Sequence, residues 1–234
     1  MTKVIGISGV ARAGKDTFAS ILTNQLKAAG KSVDKFAFAD ALKQDCDSFC
    51  KEKLGVSAFT QIPEEKLLIR PLLVWYGDAK RKQSNGRYWV DIIDKQVKAS
   101  TADFCLVTDV RYDFYERDEI SWVKEECRGL VVHVSRWSLR PAYIDANKRG
   151  DIVPDKNGVY VEINKPTLED VTYYKKEYVL PANDHEKEND PKVKAKADHV
   201  VAWENVDGLT MEQLTTAPSL VGHVNTFLDL FVDL

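Results

Sequence analysis

The chain has 234 residues, of which 44% are hydrophobic and 29% charged, and its formal net charge is −3. This balance is typical of a globular protein and argues against an extended surface for a polyanion, so a nucleic-acid partner is not expected. No apolar run approaches the roughly 20 residues of a membrane span, and the N-terminus has no signal-peptide pattern, so we expect a cytoplasmic protein without a membrane partner.

The four cysteines are expected to be reduced and structural. Cys46 and Cys50 are four residues apart on a predicted helix, which would suit a metal pair, but no further His or Cys lies near them in the sequence. Cys105 lies in an apolar run typical of a buried strand, and none of the four forms a Cys-x-x-Cys pair. This usage predicts free thiols rather than a disulfide framework.

Strand and helix patterns alternate along the first 140 residues. Residues 3–8 form a short apolar run typical of a buried parallel strand, and apolar residues then recur at helical spacing from Phe18 to Leu26, before Gly30. Pro71 would kink or break one of the later helices. The further predicted strands are 35–39, 104–108 and 130–134, and the further predicted helices are 41–54, 63–83, 89–97 and 115–127.

This alternation predicts right-handed crossovers and an α/β fold with a mostly parallel central sheet covered by helices on both faces. Ligands bind at the carboxyl ends of the strands in such a sheet. Asp40, Asp109 and Arg136 each follow a predicted strand, as does a glycine-rich loop after the first one. We therefore expect all four features at one edge of the sheet.

The pattern changes after Arg140. A turn at 154–158 and a strand at 159–163 are predicted, followed by the highly charged stretch 183–196. That stretch is typical of a solvated surface loop, and the functional alternative is a mobile lid over a nucleotide. A strand at 197–203 and an amphipathic helix from Leu220 to Phe231 close the chain. We expect a single domain over 1–234, with a lid or insertion at about 137–197.

The glycine-rich loop after the first strand has the sequence Gly-Val-Ala-Arg-Ala-Gly-Lys-Asp-Thr, which follows the pattern G-x-x-x-x-G-K. Its glycines let backbone N–H groups converge on an anion at a helix N-terminus, and its lysine adds a positive charge toward the β- and γ-phosphates. The loop is therefore predicted to bind a nucleotide through Gly9, Ala11, Arg12, Ala13, Gly14, Lys15, Asp16 and Thr17.

Asp16 occupies the position at which the pattern normally has a Ser or Thr hydroxyl for Mg²⁺. A carboxylate beside a triphosphate would repel it, but a Mg²⁺ ion between them makes the carboxylate a favourable ligand, directly or through water. Thr17 would then be free to bind another phosphate, the α-phosphate by preference. The alternative is that Asp16 only begins the helix, where acidic residues are favoured.

Asp109 ends the predicted strand Phe-Cys-Leu-Val-Thr-Asp and lies where a second acidic anchor for Mg²⁺ is expected. Arg111 is the next residue but one, and it is predicted to bind a phosphate group. A simple ion pair between the two is the alternative.

These motifs resemble the bacteriophage deoxynucleoside monophosphate kinases, which are P-loop kinases of the wider nucleoside monophosphate kinase group. The specific matches are Gly-x-x-x-x-Gly-Lys-Asp-Thr and the later Val-Thr-Asp-Val-Arg, and the His-Val-x-Arg after the fourth predicted strand is similar as well. Supporting matches occur in order along most of the chain, at Phe38-Ala39-Asp40, Gly77, Tyr88-Trp89-Val90, Asp184-His185-Glu186, Ala197-Asp198 and Asn205.

The resemblance implies a three-layer P-loop NTPase fold and the ATP- and Mg²⁺-dependent conversion of deoxynucleoside 5′-monophosphates into diphosphates. Members of the family often form dimers, so a homodimer is one expectation. Carried over residue by residue, the expected catalytic residues are Lys15, Asp109, Arg111 and Arg136, with Arg140 on the nucleotide. The metal anchors are expected to be Asp16 and Asp109, and the acceptor pocket is expected to contain Asp40, Arg70, Arg81 and, as a stacking surface, Trp75.

The chain also departs from the family. Leu72-Leu-Val-Trp-Tyr-Gly77 lacks the Leu-Gln that family members tend to carry before this glycine, which leaves the base preference open, and the stretch 154–180 is longer than expected. One alternative function is a kinase for a hydroxyl of a modified base, free or in DNA, with Asp40 as the base and the tract Lys80-Arg81-Lys82 beside aromatic residues. Another is a nucleotide-binding switch without a transfer step. His185 is expected to be an ordinary loop residue.

Overall fold

The computed structural model describes residues 2–142, 161–162, 173–206 and 208–232. The strands in these ranges are β1 (Lys3–Ser8), β2 (Val33–Phe36), β3 (Phe104–Val110), β4 (Leu130–Ala142), β5 (Val161–Glu162), β6 (Tyr173–Tyr178) and β7 (His199–Glu204). The helices are α1 (Lys15–Ala28), α2 (Phe38–Leu54), α3 (Pro63–Gln83), α4 (Arg87–Ala99), α5 (Glu119–Ser121) with a π-helical turn at Trp122–Glu126, α6 (Asp184–Lys196), α7 (Met211–Thr216) and α8 (Pro218–Phe231). Within these ranges, no helix has both the length and the apolar character needed to cross a membrane.

One sheet organises the fold, and most of its strands are parallel. Strands β2, β3, β1, β4 and β7 lie side by side in that order, and all four pairings between them are parallel. The second half of the long strand β4 continues beyond β1 and pairs antiparallel with β6, which in turn pairs with β5. This arrangement confirms the predicted α/β architecture with a mostly parallel central sheet.

Helices cover both faces of the sheet because successive strand residues point to opposite sides and both sides are apolar. In β1, Ile5 and Ile7 pack on one side with α1 and α8, around the buried rings of Phe18 and Phe227. Val4 points to the other side, where α2, α4 and the π-helical turn with Trp122 complete a second core.

The strand order places β1 between β3 and β4, so the glycine-rich loop that follows β1 emerges between the carboxyl ends of two neighbours. In open parallel sheets, this edge is where ligands bind. The segment after β3 and the start of α2, which follows β2, lie at the same edge.

The charged stretch at 183–196 is a helix, α6, so the prediction of a surface loop was wrong. Asn183 accepts a hydrogen bond from the backbone N–H of Glu186 and begins the helix, and Pro191 lies inside it. Glu186, Asn189 and Val193 are buried at near-helical spacing, although they form no apolar stripe in the sequence. The helix is therefore held by buried polar contacts, which hydrophobic periodicity does not detect.

Other boundaries also differ from the predictions. The strand predicted at 35–39 ends at Phe36, because α2 begins at Phe38, and the helix predicted at 115–127 begins only at Glu119. Strand β6 and helix α7 were not predicted, although Thr210 and Gln213 form a capping box at the start of α7. The predicted turn at 154–158 and most of the strand at 159–163 lie outside the described residues.

Candidate functional site

The glycine-rich loop connects β1 to α1 in a shape held by β4 and β7. A Cβ at Gly9 would lie 2.2 Å from the carbonyl oxygen of Val134 in β4. Gly14 begins α1 with a φ of 92°, and a Cβ there would lie 2.7 Å from the ring of Trp203 in β7. The indole N–H of Trp203 donates to the carbonyl oxygen of Ala13 over 3.1 Å. Bulkier residues at either glycine would therefore displace the loop.

Lys15 lies buried within this loop. Its Nζ donates to the carbonyl oxygens of Gly9 and Val10, both at 2.8 Å. Burial, together with the positive charge of Arg111, lowers the pKa of Lys15 to about 8. The amine is thus mainly protonated at pH 7 and supplies the positive charge that a phosphate site requires.

The other loop residues differ in exposure. Arg12 is exposed and has a φ of 65°, in the left-handed region. Thr17 is buried, with Oγ1 3.8 Å from the sulfur of Met211 in α7. Asp16 is exposed on the first turn of α1, and it lines a cavity of about 200 Å³ together with Asp40.

Asp16 suits a magnesium ion better than Asp109 does. Mg²⁺ keeps several waters and is commonly held by one or two carboxylates and the phosphates of the substrate. Asp16 has no ion pair among the described residues, so its oxygens are open to a ligand. In the described part of the chain, no group of three or more His, Cys, Asp or Glu side chains is arranged for a metal. These residues therefore do not form a metal site made of protein ligands alone.

Asp109 has a structural partner of its own. Its two carboxylate oxygens accept the backbone N–H groups of Phe38 and Ala39, each at 2.8 Å. These are the first N–H groups of α2, whose own preceding residue provides no side-chain cap. Burial raises the pKa of Asp109, while the two N–H donors oppose that rise. The carboxylate thus fastens α2 to the end of β3, and its role as a metal anchor remains a prediction.

A larger cavity of about 290 Å³ lies next to the loop, between α2, α3, the end of β3 and the start of α6. This volume is near the lower end of the roughly 300–1,000 Å³ of small-molecule sites. One face of α3 lines it with Arg70, Leu73, Gly77 and Arg81, which recur at helical spacing. Arg70 is exposed and, within the described ranges, forms no ion pair, so its charge is available to a ligand.

Arg81, by contrast, is already neutralised. Its guanidinium is buried, donates to Asp118 at 2.7 Å and to Glu119 at 2.9 Å, and lies 3.5 Å over the ring of Tyr112. Burial raises the pKa of Glu119 to about 8, and the charge of Arg81 opposes that rise. The predicted acceptor-phosphate ligand is therefore the centre of a structural network.

That network fixes the segment that carries Arg111. The Oε2 atom of Glu119 accepts the backbone N–H groups of Arg111 at 2.7 Å and Tyr112 at 3.2 Å. Asp118 accepts those of Phe114 and Tyr115. The turn after β3 thus takes its shape from buried carboxylates rather than from the helix predicted there.

Arg111 lines the same cavity and forms an ion pair with Glu186 of α6. Glu186 is only 7% exposed, and both of its oxygens also accept the backbone N–H of Ala11 in the glycine-rich loop, at 3.2 Å. One carboxylate therefore connects the loop, the segment after β3 and the start of α6.

Several predicted site residues lie away from the larger cavity. Trp75 is 67% exposed on α3, and Asp40 pairs with Lys43 at 3.1 Å beside the smaller cavity. Arg136 is half-buried on β4, opposite Trp203, and its Nε has no hydrogen-bond partner. The backbone of Arg140 belongs to β4, but its side chain lies outside the described residues.

Glu186, Glu119 and Trp203 are three of the site residues for which the sequence alone predicts no role. In the sequence, Glu186 is only part of a supporting match to the family, and Glu119 and Trp203 belong to a predicted helix and a predicted strand. Each acts through a partner far away in the chain, so its own local pattern gives no signal. His185, expected to be an ordinary loop residue, lines the cavity beside Glu186.

No protein family matches the chain, and a search of curated proteins found no similar sequence.

Proposed function

We propose that the protein is a P-loop kinase that transfers the γ-phosphoryl group of ATP to a deoxynucleoside 5′-monophosphate. The observation that carries this proposal is the adjacency of two features that are suited to anions. One is the glycine-rich loop with Lys15, and the other is the 290 Å³ cavity, with Arg70 and Arg111 among its lining residues. A protein that only binds ATP as a switch has no need of the second one.

The chemistry of such a transfer suits the residues present. A monophosphate acceptor arrives ionised, so no strong general base is needed. The protein must align two anions in line and offset the charge that develops between them. The charge of Arg111 lowers the pKa of Lys15, and this nearness of two cations supports a role for both in offsetting that charge.

Mg²⁺, held through Asp16 and its water shell, would supply further positive charge to the phosphates. The loop N–H groups and Lys15 would hold the ATP phosphates, with Thr17 on the α-phosphate side. Arg70, at the opposite end of the α3 face from Arg81, would bind the acceptor. Phe38 and Trp89 also line the cavity and offer apolar surface to a nucleoside.

The decisive assay mixes the protein with Mg-ATP and each of the four deoxynucleoside monophosphates and separates the products by ion-exchange chromatography. We expect ADP and a deoxynucleoside diphosphate in equal amounts for at least one acceptor. ADP without any diphosphate, for every acceptor, would instead support a nucleotide-binding switch.

A matched pair of variants then tests the acceptor site. Arg70→Met should raise KM for the monophosphate by about tenfold or more, the loss of one charge-assisted contact, with KM for ATP unchanged. Lys66→Met removes the same charge one turn earlier on α3, outside the cavity, and should leave both values unchanged. Equal effects of the two variants would reject Arg70 as an acceptor ligand.

A further inference from the structure

A buried carboxylate occupies an anion site at the junction of the loop and the cavity. Glu186 accepts the N–H of Ala11 with both oxygens, pairs with the guanidinium of Arg111, and accepts the N–H of Ala182 at 2.9 Å. Its charge also opposes the lowering of the Lys15 pKa by burial and by Arg111. Its donors are two backbone amides, one of them in the loop, and an arginine, which are groups by which proteins bind phosphate.

A substrate phosphate would need the same groups. Two anions cannot share one set of donors in a partly buried site without strong repulsion. Glu186 is 7% exposed and lies on the first turn of α6, at the wall of the larger cavity. Either the carboxylate leaves, or the terminal phosphate is excluded from the Ala11 amide and Arg111.

We propose that Glu186 is an internal ligand of the phosphate-transfer site, filling the position of one phosphate group between Ala11 and Arg111 until a polyphosphate displaces it. This inference rests on the proposed function, in which the loop and the cavity bind phosphate groups. When the Glu186 carboxylate is displaced, the Arg111 guanidinium can bind the phosphate. The backbone N–H of Ala182 then loses its hydrogen-bond acceptor. Occupation of the loop is thereby coupled to the start of α6.

The test measures the binding of inorganic pyrophosphate by isothermal titration calorimetry, because pyrophosphate needs neither an acceptor nor turnover. Glu186→Gln keeps the size of the side chain and removes the competing charge. We expect it to bind pyrophosphate about tenfold more tightly than the wild type, within the range of ordinary coupling between sites. Glu188→Gln removes the same charge two residues later, where the side chain is 59% exposed, and should change the affinity less than twofold.

A second measurement uses the wild type alone, so it tests the proposal even if Glu186→Gln does not fold. Hydrogen exchange of the Ala182 amide should become faster on addition of pyrophosphate, because the carboxylate that accepts it has left. Unchanged or slower exchange at Ala182 would overturn the proposal. So would affinity in Glu186→Gln that is equal to or weaker than in the wild type, or the failure of both proteins to bind pyrophosphate.

The two proposals can fail separately. Tighter binding by Glu186→Gln with no diphosphate formed from any acceptor would uphold the internal ligand and reject the kinase. Diphosphate formation by the wild type, with pyrophosphate affinity unaffected by Glu186→Gln, would reject the internal ligand alone.

Discussion

Replacing Arg81 by methionine should destabilise the fold strongly, because the guanidinium neutralises the buried Asp118 carboxylate and donates to the buried carboxyl group of Glu119. The side chains of Asp118 and Glu119 are 0% and 2% exposed, and that of Arg81 is 6% exposed. Removing one partner of a buried ion pair costs about 3–5 kcal/mol. The lost contact with the Tyr112 ring adds about 0.5–2 kcal/mol. Protonation of Glu119 relieves part of this cost, so we expect a loss of about 3–5 kcal/mol at pH 7.

Urea unfolding at 25 °C, followed by far-ultraviolet circular dichroism, measures this loss. A domain of ordinary stability has about 5–15 kcal/mol to lose, so the variant should fold but with a much lower midpoint and an unchanged m value. The loss should be larger at pH 8 than at pH 6, because an unpaired Glu119 is protonated more easily at the lower pH.

The matched control is Arg70→Met, on the same face of α3 but exposed and without an ion pair among the described residues. Surface substitutions of this kind change stability by about 0.5 kcal/mol or less. A decrease in the free energy of unfolding of less than about 1 kcal/mol for Arg81→Met would refute this reasoning. Arg81 would then again be a candidate ligand of the acceptor phosphate.

Three further predictions concern the loop and the turn after β3. Gly14→Ala should abolish ATP binding, measured by calorimetry, because its Cβ would lie 2.7 Å from the Trp203 ring, whereas Gly30→Ala, with a similar φ of 76° and no atom within 4 Å, should bind ATP normally. The free energy of unfolding should fall as pH rises from about 4.5 to about 8, because the raised pKa of Glu119 means that the folded state binds a proton that the unfolded state has lost. In urea titrations of Glu119→Gln, the decrease caused by Glu119 should be absent. Asp16→Ala should abolish Mg²⁺-dependent turnover but cost only about 0.3–1 kcal/mol of stability, the contribution of an acidic residue at a helix start.

Each of these has an opposite outcome. Equal ATP affinity in the two glycine variants would mean that Trp203 does not constrain the loop. Parallel pH profiles for the wild type and Glu119→Gln would place the titration elsewhere. A loss of stability that accounts for the whole loss of rate in Asp16→Ala would reduce Asp16 to a helix-starting residue.

The sequence by itself determined the elements that depend on local pattern. The apolar run of β1, the helical spacing that ends at Leu26 and the loop with Lys15 are all encoded within some 30 residues. From the alternation of such elements, the parallel sheet could be predicted, together with the edge at which the loop and the end of β3 lie, because crossovers between parallel strands have one favoured hand. Those predictions needed no knowledge of which distant residues meet.

Only the tertiary structure decided what the charged residues do. Glu186 meets Ala11 across 175 positions of the chain, and Trp203 meets Ala13 across 190. The sequence predicts Arg81 and Asp109 as ligands for phosphate and metal, and the structure adds partners within the protein: Arg81 pairs with Asp118 and Glu119, and Asp109 caps α2. A buried charge must be paired, and its partner can lie anywhere along the chain. The spacing of residues in the sequence therefore does not identify that partner.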